Sequence, residues 1–234
     1  MEWATKTDVE AGLSLASRLG QYWISFEYSE GSRWLTQFLQ NPRAKEYPSA
    51  RAHALIIQGH ILADMEQHTP VRSMIEECLE LYRTAGNQQR EIDSLLLLAR
   101  LVDVEKGSVF NQQALDLARS IDDVWREARA LGALGGDHRD YKRALAHWDE
   151  AITLFRKAGD WRRLASLLSR MANSVAVDGD FRYAQKLLDE AIELNQRLNN
   201  KSLRGSILFA KGNMALMRGD YEQARLFSTA RDHS

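Results

Sequence analysis

Residues 179–184 read Gly-Asp-Phe-Arg-Tyr-Ala, and residues 219–224 read Gly-Asp-Tyr-Glu-Gln-Ala. The two stretches are forty residues apart, and Asp140-Tyr141 stands in the same register another forty residues earlier. A fixed period of this length indicates a stack of repeated structural units rather than one irregular fold.

Two columns of small residues share this spacing. The first consists of Gly59, Ala99, Gly132, Ala172 and Gly212, and the second of Cys78, Ala118, Ala151 and Ala191. Both columns contain the same irregularity, because one unit is shorter than the others by seven residues. Short side chains let two packed helices approach closely, so the columns predict where the helices of each unit cross.

The residues between the columns follow a helical period. Leu187, Leu188, Ala191, Ile192 and Leu194 form an apolar stripe along one helix face. Turns are predicted at Gly86-Asn87, Asp122-Asp123, Gly159-Asp160 and Asn199-Asn200, whose residue types suit left-handed C-caps and N-caps. Near the N-terminus, Thr7 to Glu10 fits a capping box.

The pattern predicts an all-α fold, a right-handed superhelix of about six antiparallel helix pairs with a period of about 40 residues. We expect a single repeat domain over residues 1–234. Its repeats are expected at roughly 8–46, 49–86, 89–122, 124–159, 161–199 and 201–234.

Paired helices with a small-residue column and the Gly-Asp-aromatic-x-x-Ala motif resemble tetratricopeptide (TPR) repeats, whose usual period is about 34 residues. HEAT-type repeats have a period nearer to 40 residues but lack this motif, so they are the second interpretation of the repeat type. The resemblance implies a binding module, with partners held on the concave side of the array.

A narrower resemblance covers nearly the whole chain. It is carried by Glu2-Trp3-Ala4, Tyr22-Trp23, Glu30-Gly31-Ser32-Arg33-Trp34-Leu35, Glu76-Glu77-Cys78-Leu79 and the stretch 213–224. These segments resemble the helical-repeat region of bacterial STAND-class signalling ATPases, including LuxR-type and maltose-activator-like transcription regulators. The chain has no G-x-x-x-x-G-K-[ST] loop for nucleotide phosphates. The resemblance therefore implies the sensor or partner-binding portion of a larger protein.

Composition narrows the possible functions. With 44% hydrophobic and 27% charged residues, the chain has the balance of a soluble globular protein, and no signal peptide or membrane-spanning run is visible. We therefore expect a cytoplasmic protein without membrane contact. A net charge of −1, with only isolated basic pairs at 142–143 and 162–163, argues against nucleic-acid binding. A single cysteine, Cys78, excludes a multi-cysteine metal site, and no cofactor is expected.

Residues beside the first small column, and one or two turns before it, are predicted to face the concave groove. The register assigns to it His53, Ile56, His60, Asp93, Leu96, Arg100, Arg126, Arg129, Ser166, Ser169, Asn173, Ser206, Phe209 and Asn213. The candidates for partner binding are His53, His60, Arg100, Arg126, Arg129, Asn173 and Asn213.

These candidates have specific chemistry. The arginines could bind carboxylates of a peptide, unless Asp93 and Asp103 neutralise them internally. In related peptide-binding repeats, asparagines beside the small residue bind the peptide backbone, and the resemblance implies this role for Asn173 and Asn213. His53 and His60 share a helix face, but no third metal ligand follows from the register, so a metal site is not expected. Cys78 is interpreted as a buried substitute for alanine.

The sequence therefore predicts a non-catalytic module that binds a protein or peptide, or senses a ligand, in its concave groove. The alternative is a free-standing TPR scaffold that bridges partners. The helix that begins at Tyr221 is expected to expose Leu226 and Phe227, so the last pair should fray or self-associate through its open edge. Trp23 and Trp34 are expected to pack within the first repeat.

Overall fold

The computed structural model describes residues 1–64, 68–136 and 140–232. Within these ranges all regular structure is helical, with fourteen α-helices and a short 3-10 helix at Pro42–Glu46. The chain divides into two compact units, Met1–Asp122 and Asp123–Ser234. We call them the N-terminal unit and the C-terminal unit. The all-α prediction is confirmed.

The helices of the N-terminal unit are α1 Glu2–Thr7, α2 Val9–Arg18, α3 Gly20–Phe26, α4 Tyr28–Gln40, α5 Pro48–Asp64, α6 His68–Thr84, α7 Gln88–Ala99 and α8 Val104–Ser120. Those of the C-terminal unit are α9 Val124–Leu134, α10 Tyr141–Ala158, α11 Trp161–Val177, α12 Phe181–Leu198, α13 Lys201–Met217 and α14 Tyr221–Asp232. From α5 onward the helices pack in sequential pairs, and each pair is linked by a short connection.

The predicted turns are confirmed, and they share one design. A residue in the left-handed region ends one helix, and the next residue caps the following helix. Gly159 has φ 68°, and Asp160 then accepts a hydrogen bond of 3.0 Å from the Arg163 amide. The same arrangement recurs at the other three predicted turns and at Gly179-Asp180 and Gly219-Asp220. Such an N-cap stabilises its helix by about 1 kcal/mol relative to alanine.

The core of the C-terminal unit is built around α11, which packs against both α12 and α13. Trp148 of α10 is 1% exposed, and its indole N–H donates a 3.3 Å hydrogen bond to the Gly132 carbonyl. A Cβ at Gly135 would overlap the Trp148 ring. The backbone at the end of α9 can therefore approach this tryptophan only because residue 135 has no side chain.

The small-residue columns lie at tight contacts. Cys78, Ala118, Ala151 and Ala191 are each fully buried. A Cβ at Gly59 would collide with Ile75, and one at Gly132 would lie 3.2 Å from Leu167 Cδ1. Gly212 is more loosely packed, because its nearest neighbour would be Phe227 Cβ at 3.6 Å. Close packing is thus confirmed for most of the two columns.

The first repeat differs from a simple helix pair, because residues 8–46 form α2, α3, α4 and the 3-10 helix. The indole N–H of buried Trp23 donates a 2.9 Å hydrogen bond to the Ala16 carbonyl, which a continuous helix would use for its own ladder. Trp23 and Trp34 are buried, as predicted. The predicted capping box at Thr7 is wrong: Asp8 caps α2, and the Thr7 hydroxyl donates instead to the Trp3 carbonyl.

Candidate ligand-binding cavity in the C-terminal unit

Asn173 of α11 and Asn213 of α13 occupy the same register position in successive repeats, and the structure brings them into contact. Asn213 Nδ2 donates a hydrogen bond of 2.9 Å to Asn173 Oδ1. Both side chains are half-buried. Among the described residues, Asn173 Nδ2 and Asn213 Oδ1 have no further partner. The pair therefore leaves the Asn173 NH2 group as a donor and the Asn213 oxygen as an acceptor, which match the C=O and N–H groups of a peptide bond.

Asn173 also lines a cavity of about 590 Å³ within the C-terminal unit. The cavity is lined by residues from just after α9 and from α10, α11 and α13. They are Gly136, Trp148, Ser169, Arg170, Asn173, Ser174, Gly205, Ser206, Phe209 and Ala210. This volume lies in the range of sites that hold small ligands or a few residues of a peptide.

The lining combines an apolar wall with polar edges. Phe209 is 50% exposed and forms the apolar wall. Ser169, at the equivalent position one repeat earlier, is 2% exposed, and its hydroxyl donates to the Ala165 carbonyl. A Cβ at Gly205 would meet nothing within 4 Å, so the cavity is open beside it. Arg170 is the one ionisable residue among the lining residues that the structure describes. Its guanidinium can recognise a negative charge, and the described lining residues include no second titratable group with which it could form an acid–base pair.

The predicted candidates Arg126 and Arg129 lie elsewhere in the C-terminal unit, against Trp125. Their guanidinium carbons are 5.4 Å and 4.8 Å from its ring centroid. Arg126 also forms a 2.8 Å ion pair with Asp123, and the Trp125 indole N–H donates to Asp160 at 2.9 Å. This cluster ties the N-terminal end of α9 to that of α11.

Asp103 was considered as an internal counter-ion for the arginines, and this interpretation is wrong. Asp103 caps α8 and pairs with Lys106 at 3.1 Å. Asp93 lies 3.7 Å from Arg90 of its own helix.

His53, His60 and Arg100 belong to the N-terminal unit and contribute nothing to the cavity. His53 and His60 are half-buried on α5, and Arg100 is exposed just after α7. Burial lowers the pKa of His53, and the nearby Arg90 and Arg18 lower it further. His53 is thus held in its neutral form. The described residues contain no group of three His, Cys, Asp or Glu side chains that could hold a metal ion.

Three other predicted residues are buried side chains. Ile56 and Leu96, which were expected to line the groove, are 3% and 7% exposed and belong to the core, so that expectation is wrong. Cys78 is fully buried, as expected, and its thiol lies 3.3 Å from the Ala52 carbonyl and 3.5 Å from Ser94 Oγ. Burial raises the pKa of this thiol to about 12, which suppresses nucleophilic chemistry.

Six lining residues were not predicted from the sequence to face the groove: Gly136, Trp148, Arg170, Ser174, Gly205 and Ala210. Arg170 lies two positions before the small column, where neighbouring repeats have Ala130 and Ala210. No periodic signal marks it.

Of the basic pairs, Arg163 lies 3.4 Å from Asp160 and stacks on Trp125. None of the described helices combines the length and apolar character that crossing a membrane requires.

Comparisons with known proteins establish the fold. No protein-family profile matches the chain, and no curated protein matches it. Among solved structures, the apo form of RapI is 13% identical, with a TM-score of 0.71 over 97% of this chain and 85% of that one. BtubC from P. vanneervenii is 18% identical, with a TM-score of 0.62 over 97% of this chain and 91% of that one.

A third similar structure is a STAND protein with a tetratricopeptide repeat sensor from Pyrococcus horikoshii. It is 17% identical, with a TM-score of 0.67 over 96% of this chain, and this chain spans 36% of its length. At these identities the likeness concerns the fold, which is a TPR-like helical repeat, as predicted.

Proposed function

We propose that this chain is a non-catalytic binding module that holds a short peptide segment in the cavity of the C-terminal unit. The Asn173–Asn213 pair is the observation that carries the proposal. Its open donor and acceptor would bind one peptide group of an extended segment. Phe209 would contact an apolar side chain of that segment, and Arg170 would lie near its carboxylates.

The seven predicted site residues are assigned different roles in this proposal. Asn173 and Asn213 contact the ligand. Arg126 and Arg129 position α9 and α11 through Trp125 and Asp123. His53, His60 and Arg100 form a separate surface of the N-terminal unit.

The experiment is a peptide-display selection on the full chain, followed by titration of one selected peptide. Asn173→Asp keeps the shape and the acceptor for Asn213 but removes the Nδ2 donor. We expect affinity to fall by about fivefold to tenfold, the contribution of one hydrogen bond. The matched control, Gln196→Glu, makes the same amide-to-acid change at an exposed position of α12 and should bind like the wild type. Failure to select any peptide, or equal losses in both variants, would overturn the proposal.

We further propose that the module is the sensor portion of a larger cytoplasmic signalling or transcription regulator. The Pyrococcus horikoshii STAND protein supports this, because its tetratricopeptide repeat sensor belongs to a chain of which the present one spans 36%. The alternative, a free-standing scaffold, is favoured by RapI, since the match spans 85% of that chain.

An immunoblot of the native organism separates these two possibilities. A band near 90 kDa or above supports the regulator, whereas a band near the chain's own 26.7 kDa supports the scaffold.

A further inference from the structure

The outward face of α14 carries exposed apolar side chains. Tyr221 is 73% exposed and Leu226 is 62% exposed. The opposite face of the helix packs on α13 through buried Ala224 and through Phe227, whose ring centroid lies 5.5 Å from Lys211 Nζ. The sequence-based expectation that Phe227 is exposed is therefore wrong, whereas for Leu226 it is confirmed.

The equivalent face of α12, forty residues earlier, has Phe181 in place of Tyr221 but is polar at the other three positions. Lys186 stands where α14 has Leu226, and exposed Arg182 stands where α14 has Glu222. In α10, the position of Leu226 is occupied by Ala146. Among α10, α12 and α14, only α14 therefore has a large apolar side chain at this solvent-facing position.

The order of residues on this face is self-complementary. Tyr221, Glu222, Arg225 and Leu226 fall within about 140° of one another on a helix of 3.6 residues per turn. When two such helices meet antiparallel about a two-fold axis at residues 223 and 224, residue 221 faces 226 and residue 222 faces 225. Apolar side chains then meet apolar ones and each acid meets a base, on both sides of the axis.

We propose that this face of α14 docks on the same face of a second copy of the chain and forms a symmetric antiparallel dimer. Neither Glu222 nor Arg225 forms an ion pair with another described residue, so both are available for the partner. The apolar pairs supply most of the affinity, and the charged pairs set the register. This proposal is independent of the peptide cavity.

The expected dimer is weak, because one helix face buries less area than a stable complex requires. Sedimentation equilibrium of the full chain should therefore show a concentration-dependent dimer that becomes populated at about 100 µM protein. Leu226→Lys makes α14 like α12 at this position and should raise the dissociation constant at least about tenfold. Its circular dichroism melting curve should match the wild type, since Leu226 is largely exposed.

A charge-swap cycle tests the geometry. Glu222→Arg places like charges opposite each other across the axis, and so does Arg225→Glu. Each single variant should dimerise more weakly, by about threefold to tenfold. The double variant Glu222→Arg/Arg225→Glu restores opposite charges and should return to within about twofold of the wild type.

Three outcomes would overturn the proposal. They are a monomer at every concentration, a dimer that Leu226→Lys leaves unchanged, and a double charge variant that is no stronger than the single ones. The second outcome would assign the dimer to another surface, and the third would exclude the antiparallel register.

Discussion

Asn213 donates a 2.9 Å hydrogen bond to Asn173, forty residues before it in the chain. Residues one period apart in the sequence are therefore in direct contact between α11 and α13. The two amides satisfy only part of each other's hydrogen-bonding capacity, and in our proposal the remaining groups bind a peptide group.

Two glycines of the same column should respond oppositely to alanine. Gly59→Ala would place a Cβ against fully buried Ile75, and we expect a loss of about 1–2 kcal/mol of unfolding free energy. Gly212→Ala meets only ordinary contacts at 3.6 Å, so improved helix propensity should add about 0.5–1 kcal/mol. Urea denaturation followed by circular dichroism measures both changes. A stabilised Gly59→Ala variant would contradict the close packing of α5 on α6.

The thiol of Cys78 should be inert in the folded protein. At pH 8, its reaction with a disulfide reagent should be at least about a hundredfold slower than in urea. Since folding raises the pKa of this acid from 9.0 to about 12, stability should fall as the pH rises through that window. Cys78→Ala should remove this contribution, and equivalent positions already contain alanine. A fast, pH-independent reaction would show that the thiol is accessible.

His53 should make the chain less stable in mild acid. Its folded pKa lies below the ordinary value of 6.5, so the unfolded chain takes up the proton first. The stabilising contribution is complete above pH 6.5 and declines as the pH falls below that value. His53→Gln should reduce the difference in unfolding free energy between pH 7.5 and pH 5.5. Arg90→Gln, which removes one cause of the lowered His53 pKa, should also reduce this difference in unfolding free energy, but by less. Identical pH profiles for all three proteins would contradict the assignment.

Features that repeat in the sequence could be predicted from it. Glycine favours the left-handed backbone found at Gly159, and aspartate favours the N-cap position found at Asp160. Both preferences are local, and similar residue pairs recur between the helices of the repeats. Their turn geometry therefore followed directly from the sequence. The buried alanines of the second column followed for the same reason.

Features built by single, non-periodic contacts could not be predicted. At the break between α2 and α3, the Trp23 indole donates a hydrogen bond to the Ala16 carbonyl, and no repeated motif in the sequence indicates this contact. Arg170 enters the cavity at a position where other repeats have small residues. Ile56 and Leu96 share the register of the groove residues, but both side chains are buried where α5 and α7 pack against neighbouring helices.

Hydrogen exchange of the full chain, with and without a display-selected peptide, tests the central claim most directly. The cavity account predicts slower exchange in residues 166–174 of α11 and 205–213 of α13, the two segments that contain the lining residues of these helices and the asparagine pair. Protection confined to the N-terminal unit, or to the outward faces of α10 and α12, would contradict it.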